Sequence, residues 1–159
     1  MSTSRHQQTA EALKTAITGW SSLPSGWTAE RVYSLSRRVK DMKSGSSDIG
    51  VIAVLATSVN DTDAGRHNHA DDIVVAVAVL ARLSKITTDV CDVVDVLAEN
   101  LRTFLRKDSS LASVTFTGGL QAQRKNVSLP TTADVVSLDE QDVFCAIIEC
   151  NYRCPVEAV

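Results

Sequence analysis

From Ile73 to Leu83 the chain reads IVVAVAVLARL, and almost every position is apolar. On an extended backbone successive side chains point to opposite faces. Ile73, Val75, Val77, Val79, Ala81 and Leu83 therefore share one face, and Val74, Ala76, Ala78 and Leu80 share the other. A short, β-branched run of this kind predicts a buried strand. Gly50 to Val59 (GVIAVLATSV) follows the same rule. A strand that is apolar on both faces needs a cover on both, and the pattern along this chain supplies few helices. Part of the second cover is therefore expected from another protein chain, first of all another copy of this one.

Two segments carry a helical period instead. Ala10, Leu13, Ile17 and Trp20 form one stripe of a helix predicted over Ser4 to Trp20, with Ser4 and Gln7 spaced as a capping box. The stronger helix spans Thr87 to Lys107. Thr88 is its expected N-cap, Asp89 and Asp92 stand in the first turn, and Arg102, Arg106 and Lys107 stand in the last turns, each where the helix dipole favours its charge. Its expected core stripe is Val90, Val93, Val94, Leu97, Leu101, Phe104 and Leu105. Glu30 to Val39 reads as a half-exposed strand near an edge, with Tyr33, Leu35 and Val39 on one face. Val114 to Phe116 starts another strand, which Gly118 and Gly119 break or bulge. Leu120 to Leu129 alternates loosely, and Val143 to Tyr152 is the last strand, with Pro155 ending its pairing.

The order α, β, β-loop-β, α, β, β predicts an α+β fold. It is a mainly antiparallel sheet with two principal helices packed on one face. At 159 residues the chain reads as a single α+β domain over 1–159. The expected core is Leu13, Ile17, Val75, Val77, Val79, Leu97, Leu101, Phe104, Phe144, Ala146 and Ile148.

Between the two apolar runs lies NDTDAGRHNHADD, from Asn60 to Asp72. It reads as a long polar loop joining an antiparallel pair, well beyond the usual two to five residues of a hairpin connection. Its His-x-His element beside carboxylates has the donor types of a divalent-metal site. Such a site needs ligands held rigidly by a supporting shell, and a glycine-containing loop without apolar residues offers none. The loop is therefore read as a partner contact carried by Asp61, Asp63, Arg66, His67, His69 and Asp71. No catalytic residue, metal ligand or cofactor site is expected. The nucleotide-binding, hydrolase and metalloprotease motifs are missing from the sequence.

Composition narrows this further. The chain is 44% hydrophobic and 22% charged, with a formal net charge of −3. That is ordinary for a globular protein and unlike a nucleic-acid binder, which needs a basic face. The first residues have no apolar signal region, and no apolar run approaches the ~20 residues of a membrane helix. The expectation is a soluble protein made in a cytoplasm. Cys145, Cys150 and Cys154 have a spacing that fits no common zinc pattern. They and Cys91 are read as reduced, small apolar residues, with Cys150 and Cys154 on one strand face and Cys145 on the other. The basic cluster Arg37, Arg38 and Lys40, with Lys43 and Arg31 nearby, is read as a solvated strand end or as a patch for an acidic partner.

Three pieces of the chain together resemble a known family. They are the opening helix TAEALKTAI, the strand IVVAVAVLARL followed by the helix VVDVLAENLRTFLR, and the tail LDEQDVFCAIIECNYRCPV. The arrangement is similar to the tail-terminator, or tail-completion, proteins of long-tailed bacteriophages. The resemblance implies a structural virion protein and no enzyme. Such a protein forms a homo-oligomeric ring, usually a hexamer, at the head-proximal end of the tail. The ring stops growth of the tail tube and docks to the head connector. The implied partners are further copies of the chain, the tail-tube protein and a head-completion or connector protein. The implied location is the virion neck, after assembly in the host cytoplasm. A head-completion neck protein is the alternative within this class, and a small ligand-binding or enzymatic α+β domain is the alternative outside it. The RHNH element matches no shared pattern of the family.

Overall fold

The computed structural model describes residues 4–43, 49–63, 69–83, 87–132 and 142–156. In chain order the elements are α1 (Arg5–Thr18), β1 (Thr28–Arg31), α2 (Leu35–Lys43), β2 (Gly50–Asp63), β3 (His69–Arg82), α3 (Thr88–Lys107), a 3-10 turn (Ser109–Leu111), β4 (Ser113–Thr115), β5 (Gln121–Thr131) and β6 (Val143–Val156). The strands form one mixed sheet in the order β1-β2-β3-β6-β5-β4. Every neighbouring pair is antiparallel except β1 and β2.

The alternating apolar run becomes the middle of the sheet. β3 pairs with β2 from Ala81↔Gly50 to His69↔Asp63, and with β6 from Arg82↔Val143 to His69↔Val156. One face of this ribbon carries Ile52, Val54, Ile73, Val75, Val77, Val79, Phe144, Ala146 and Ile148. α1 and α3 cover that face with Ala10, Leu13 and Ile17 from the first helix and Val94, Ala98, Leu101 and Leu105 from the third. Trp20, just past α1, stacks on Phe104 of α3 with ring centroids 5.5 Å apart, which ties the two helices together. Of the expected core, all eleven residues pack in this cluster, with Leu97 and Phe104 only partly buried.

The other face differs from the expectation. Val39 and Met42 of α2 pack on Ala53, Ala78, Leu80, Val143 and Cys145. Leu35, Val39 and Met42 recur at the spacing of a helix face, and the Ser34 hydroxyl accepts from the Arg37 N–H at 3.4 Å, as an N-cap does. The strand expected over Glu30 to Val39 is therefore wrong past Arg31. What reads as alternation is the end of β1 followed by the first turn of a helix. β1 runs parallel to β2 because a helix connects them. The described residues thus place three α-helices on two faces, and the chain supplies part of the second cover itself.

Smaller corrections follow the same logic. α1 has Ser4 at its N-cap, but no side-chain capping bond is made there. For α3 the cap is Thr87, not Thr88, and its side chain accepts from the Val90 N–H at 3.3 Å. Gly118 and Gly119, at φ +104° and +96°, form the tight β4–β5 turn and no bulge. β6 continues past Tyr152, and Pro155 lies opposite Ala70. Beyond Arg153 the pairing of β6 is to β3 alone, so a residue without an N–H is tolerated there.

Val93 is the main misplaced core residue. It is 71% exposed, because the sheet takes the face of α3 that holds Val94, Ala98, Leu101 and Leu105. Leu101→Ala is expected to destabilise the fold by about 2–5 kcal/mol. Val93→Ala should stay within about 0.5 kcal/mol of wild type. Urea denaturation of both variants checks the register, and equal losses would show that α3 is rotated.

Candidate partner-contact surface

The expected loop from Asn60 to Asp72 is mostly strand. Pairing continues through Asn60↔Asp72, Asp61↔Asp71, Thr62↔Ala70 and Asp63↔His69. The connection is at most residues 64–68, so Arg66 and His67 lie outside the described residues. The long polar loop is therefore corrected to the polar end of a long hairpin. The ladder brings Asp61 opposite Asp71 and Asp63 opposite His69. Thr57, Ser58, Val59 and Asn60 are exposed, so this half of β2 has no apolar cover to select for. A strand without cover carries the composition of a loop.

The hairpin is joined to β6 by charge as well as by backbone. Arg153 sits opposite Asp72 and donates to both carboxylate oxygens, at 2.8 Å from Nε and 3.2 Å from Nη2. One step along, the Asn151 amide donates to Asn126 Oδ1 at 2.7 Å. These residues make a polar ladder on the part of the sheet that lies beyond the apolar cluster under α2.

Two helical surfaces complete the picture. On α3 the exposed row is Val90, Val93 and Val96. Asp89, Asp92, Asp95 and Glu99 are exposed on the same half of the helix. On the other face of the sheet, Arg37 and Lys40 of α2 are exposed, and Arg38 forms an ion pair with Glu30. Tyr33 precedes α2, and the Arg31 guanidinium lies 5.8 Å from its ring centre. Of the basic cluster read from the sequence, Arg37, Arg38, Lys40 and Lys43 belong to a helix, whereas Arg31 ends β1 and pairs with Glu11 of α1 at 3.8 Å. The signal that places those four there is the spacing of Leu35, Val39 and Met42.

An open groove of about 520 Å³ runs between α1 and β4, lined by Gln8, Glu11, Thr15, Ser110 and Val114. The Gln8 side-chain oxygen accepts from the Thr117 N–H at 3.0 Å and ties the β4–β5 turn to α1. Among the described residues, no three His, Cys, Asp or Glu side chains stand close enough to share a metal ion.

The cysteines divide between the faces as the alternation requires. Cys150 and Cys154 lie in the large cluster and Cys145 lies under α2. None of the four cysteines forms a disulfide. Burial pushes the Cys150 thiol from 9.0 up to about 12, and the charge of Arg124 only partly opposes it. Arg124 is itself held at the end of α3, where it donates to the carbonyls of Leu105 and Asp108 at 2.9 and 2.8 Å. Burial also pushes up the phenol of Tyr152, whose hydroxyl donates to the Leu111 carbonyl at 2.7 Å.

No protein-family model matches this chain, and no curated protein matches it.

A group with a raised folded pKa stabilises fully below its unfolded pKa and loses that contribution as pH rises. For Cys150 the window opens near 9.0 and closes near 12. Across it the unfolded chain releases its proton first. The urea midpoint is therefore expected to fall as pH rises through this window, and to fall less steeply in Cys150→Ala. Identical pH profiles for the two proteins would show that the thiol titrates as it does in water.

Proposed function

We propose that this chain is a structural virion protein of the tail-terminator kind. It assembles with copies of itself into a ring at the head-proximal end of a phage tail, stops the tail tube and receives the head connector. The observation that carries this reading is the open valine row of α3. Val93 and Val96 are 71% and 58% exposed beside a core that is already filled. Apolar side chains left in the open as a row mark a contact with another macromolecule.

The β2–β3 hairpin supports the same reading. Its two strands are fixed by β6 and by the core, and its end is polar. The ladder of this pair is described out to Asp63 and His69. Polar and charged groups there set the orientation of a partner more than the affinity. The work of the protein is done by surfaces held rigidly by a sheet.

The test is to add the protein to polymerising tail-tube protein of the same phage and to measure tube length by electron microscopy. Wild type is expected to cap the tubes. A variant with residues 61–71 replaced by Asn-Gly closes the hairpin between Asn60 and Asp72, which already face each other. It is expected to stay folded and to lose capping. Tubes that grow unchecked with wild type would refute the function. Normal capping by the trimmed variant would show that the hairpin end is not the tube contact.

A further inference from the structure

We infer that the cleft between the end of α3 and β5 is a binding site for the phosphate group of a small molecule. The site uses neither the valine row nor the hairpin end and owes nothing to the ring reading.

A cavity of about 300 Å³ opens there, lined by Arg106, Arg124, Lys125, Asn126 and Val127. Three of these five residues are cations and none is an acid. Lys107 is exposed next to Arg106 in the last turn of α3. Elsewhere the chain sets cations against carboxylates, as at Lys14, Arg31, Arg38, Arg102 and Arg153. Among the described residues, Arg106, Lys107, Arg124 and Lys125 take part in no ion pair. The acid nearest in sequence, Asp108, is engaged with the 3-10 turn. Its Oδ1 accepts from the Ser110 N–H at 2.8 Å and from the Ser110 hydroxyl at 2.7 Å. Unmatched cations gathered at one cavity in a chain of net charge −3 call for an anion from outside.

The backbone builds this cluster. The register of β5 on β6 shifts between Arg124 and Asn126, so Lys125 is the extra residue of a β-bulge. A regular strand divides four successive residues between two faces, whereas here residues 124 to 127 all line one cavity. Arg124 is pinned at both ends. Its N–H donates to the Ala112 carbonyl at 2.9 Å, and its Nη1 donates to the carbonyls of Leu105 and Asp108 at 2.9 and 2.8 Å. Those two bonds take up carbonyls at the negative end of the α3 dipole, which would otherwise repel an anion. They also leave the Nε and Nη2 edge of the guanidinium for a second acceptor, and such an edge grips two oxygens of an oxyanion. Three cations exceed the single charge of a carboxylate and suit a phosphate dianion. The basic group is compact. Gln123 and Ser128 on β5 and Ser109 and Ser110 after α3 do not extend it, so it lacks the long basic stripe that a nucleic-acid backbone needs. Val127 adds an apolar wall for the organic part of a ligand.

The test is a titration of the isotope-labelled full chain, followed through its amide NMR signals. The probes are inorganic phosphate, phenyl phosphate, acetate and a short thymidine oligonucleotide. Both phosphates are expected to saturate at millimolar concentration or below and to move the amides of residues 105–108 and 124–127. Their binding is expected to weaken as salt rises. Arg106→Gln/Lys125→Gln, changed only at exposed positions, is expected to weaken both by about tenfold or more. Arg37→Gln/Lys40→Gln removes the same charge from α2 and is expected to bind as wild type does. Tighter binding of phenyl phosphate than of inorganic phosphate supports the site as one for a monoester, and equal affinity supports it as one for the free ion. Failure of both phosphates to saturate overturns the site, and because wild type is mapped directly, that result depends on no variant. Equal weakening in the two variants shows a general effect of net charge and also overturns it. Acetate that binds as tightly as the phosphates overturns the phosphate assignment. An oligonucleotide that moves the same amides and binds more tightly than phenyl phosphate overturns the small-molecule assignment.

Discussion

β3 is the element on which the others depend. It is apolar on both faces and is paired on both edges, to β2 and to β6, along its whole length. No single helical layer can shield such a strand. The fold answers with α1 and α3 on one side and α2 on the other. α2 connects the short edge strand β1 to β2, which is why the two run parallel. The cover under α2 reaches Ala53, Ala78, Leu80, Val143 and Cys145, with Ile147 partly buried at its margin. Beyond that cluster the same face turns polar, with Asp72, Arg153, Asn151 and Asn126 satisfying one another across the strands. The sheet is thus a core element at one end and a surface at the other.

Much of this was legible in the residues. The two apolar runs, the α1 stripe, the extent of α3 and the opposite facing of Cys145 and Cys150 all follow from side-chain period alone. Three features were not. Glu30 to Val39 alternates for a few residues across a strand end and a helix start, and period-two evidence over so short a window competes with the four-three spacing of Leu35, Val39 and Met42. The far half of the hairpin is polar because nothing covers it, so hydrophobic period carries no information about its pairing. Val93 lies on the margin of the α3 stripe, where a few tens of degrees of rotation decide between core and solvent. A pattern on one helix cannot set that angle, because the sheet beneath it does. For the candidate surface, the charges were visible as clusters. Their placement on opposite faces of one sheet was not, because it depends on recognising α2 as a helix.

The interior also holds polar groups at little cost. Tyr152 is buried, yet its hydroxyl reaches the Leu111 carbonyl, and Arg124 closes the end of α3 by bonding two carbonyls of the chain that leaves it. These three bonds satisfy backbone acceptors from the last turn of α3 to the end of the 3-10 turn. They fix the level at which the chain passes from helix to β4. That in turn sets where β5 meets β6.

The position of β6 shapes how the molecule comes into being. It is the last strand in sequence, yet it occupies the middle of the sheet, between β3 and β5. The contacts it makes with β3 join residues 61 (Arg82 and Val143) to 87 (His69 and Val156) positions apart, so they close slowly compared with the β2–β3 hairpin. During synthesis, β3 and β5 each wait with one edge unpaired until β6 arrives, and Val75, Val77 and Val79 have no partner on that side. A polypeptide that stops short of residue 143 cannot close its sheet at all. Surfaces that depend on the finished sheet therefore exist only on chains that have been read through to β6, and translation itself acts as the inspector of subunits.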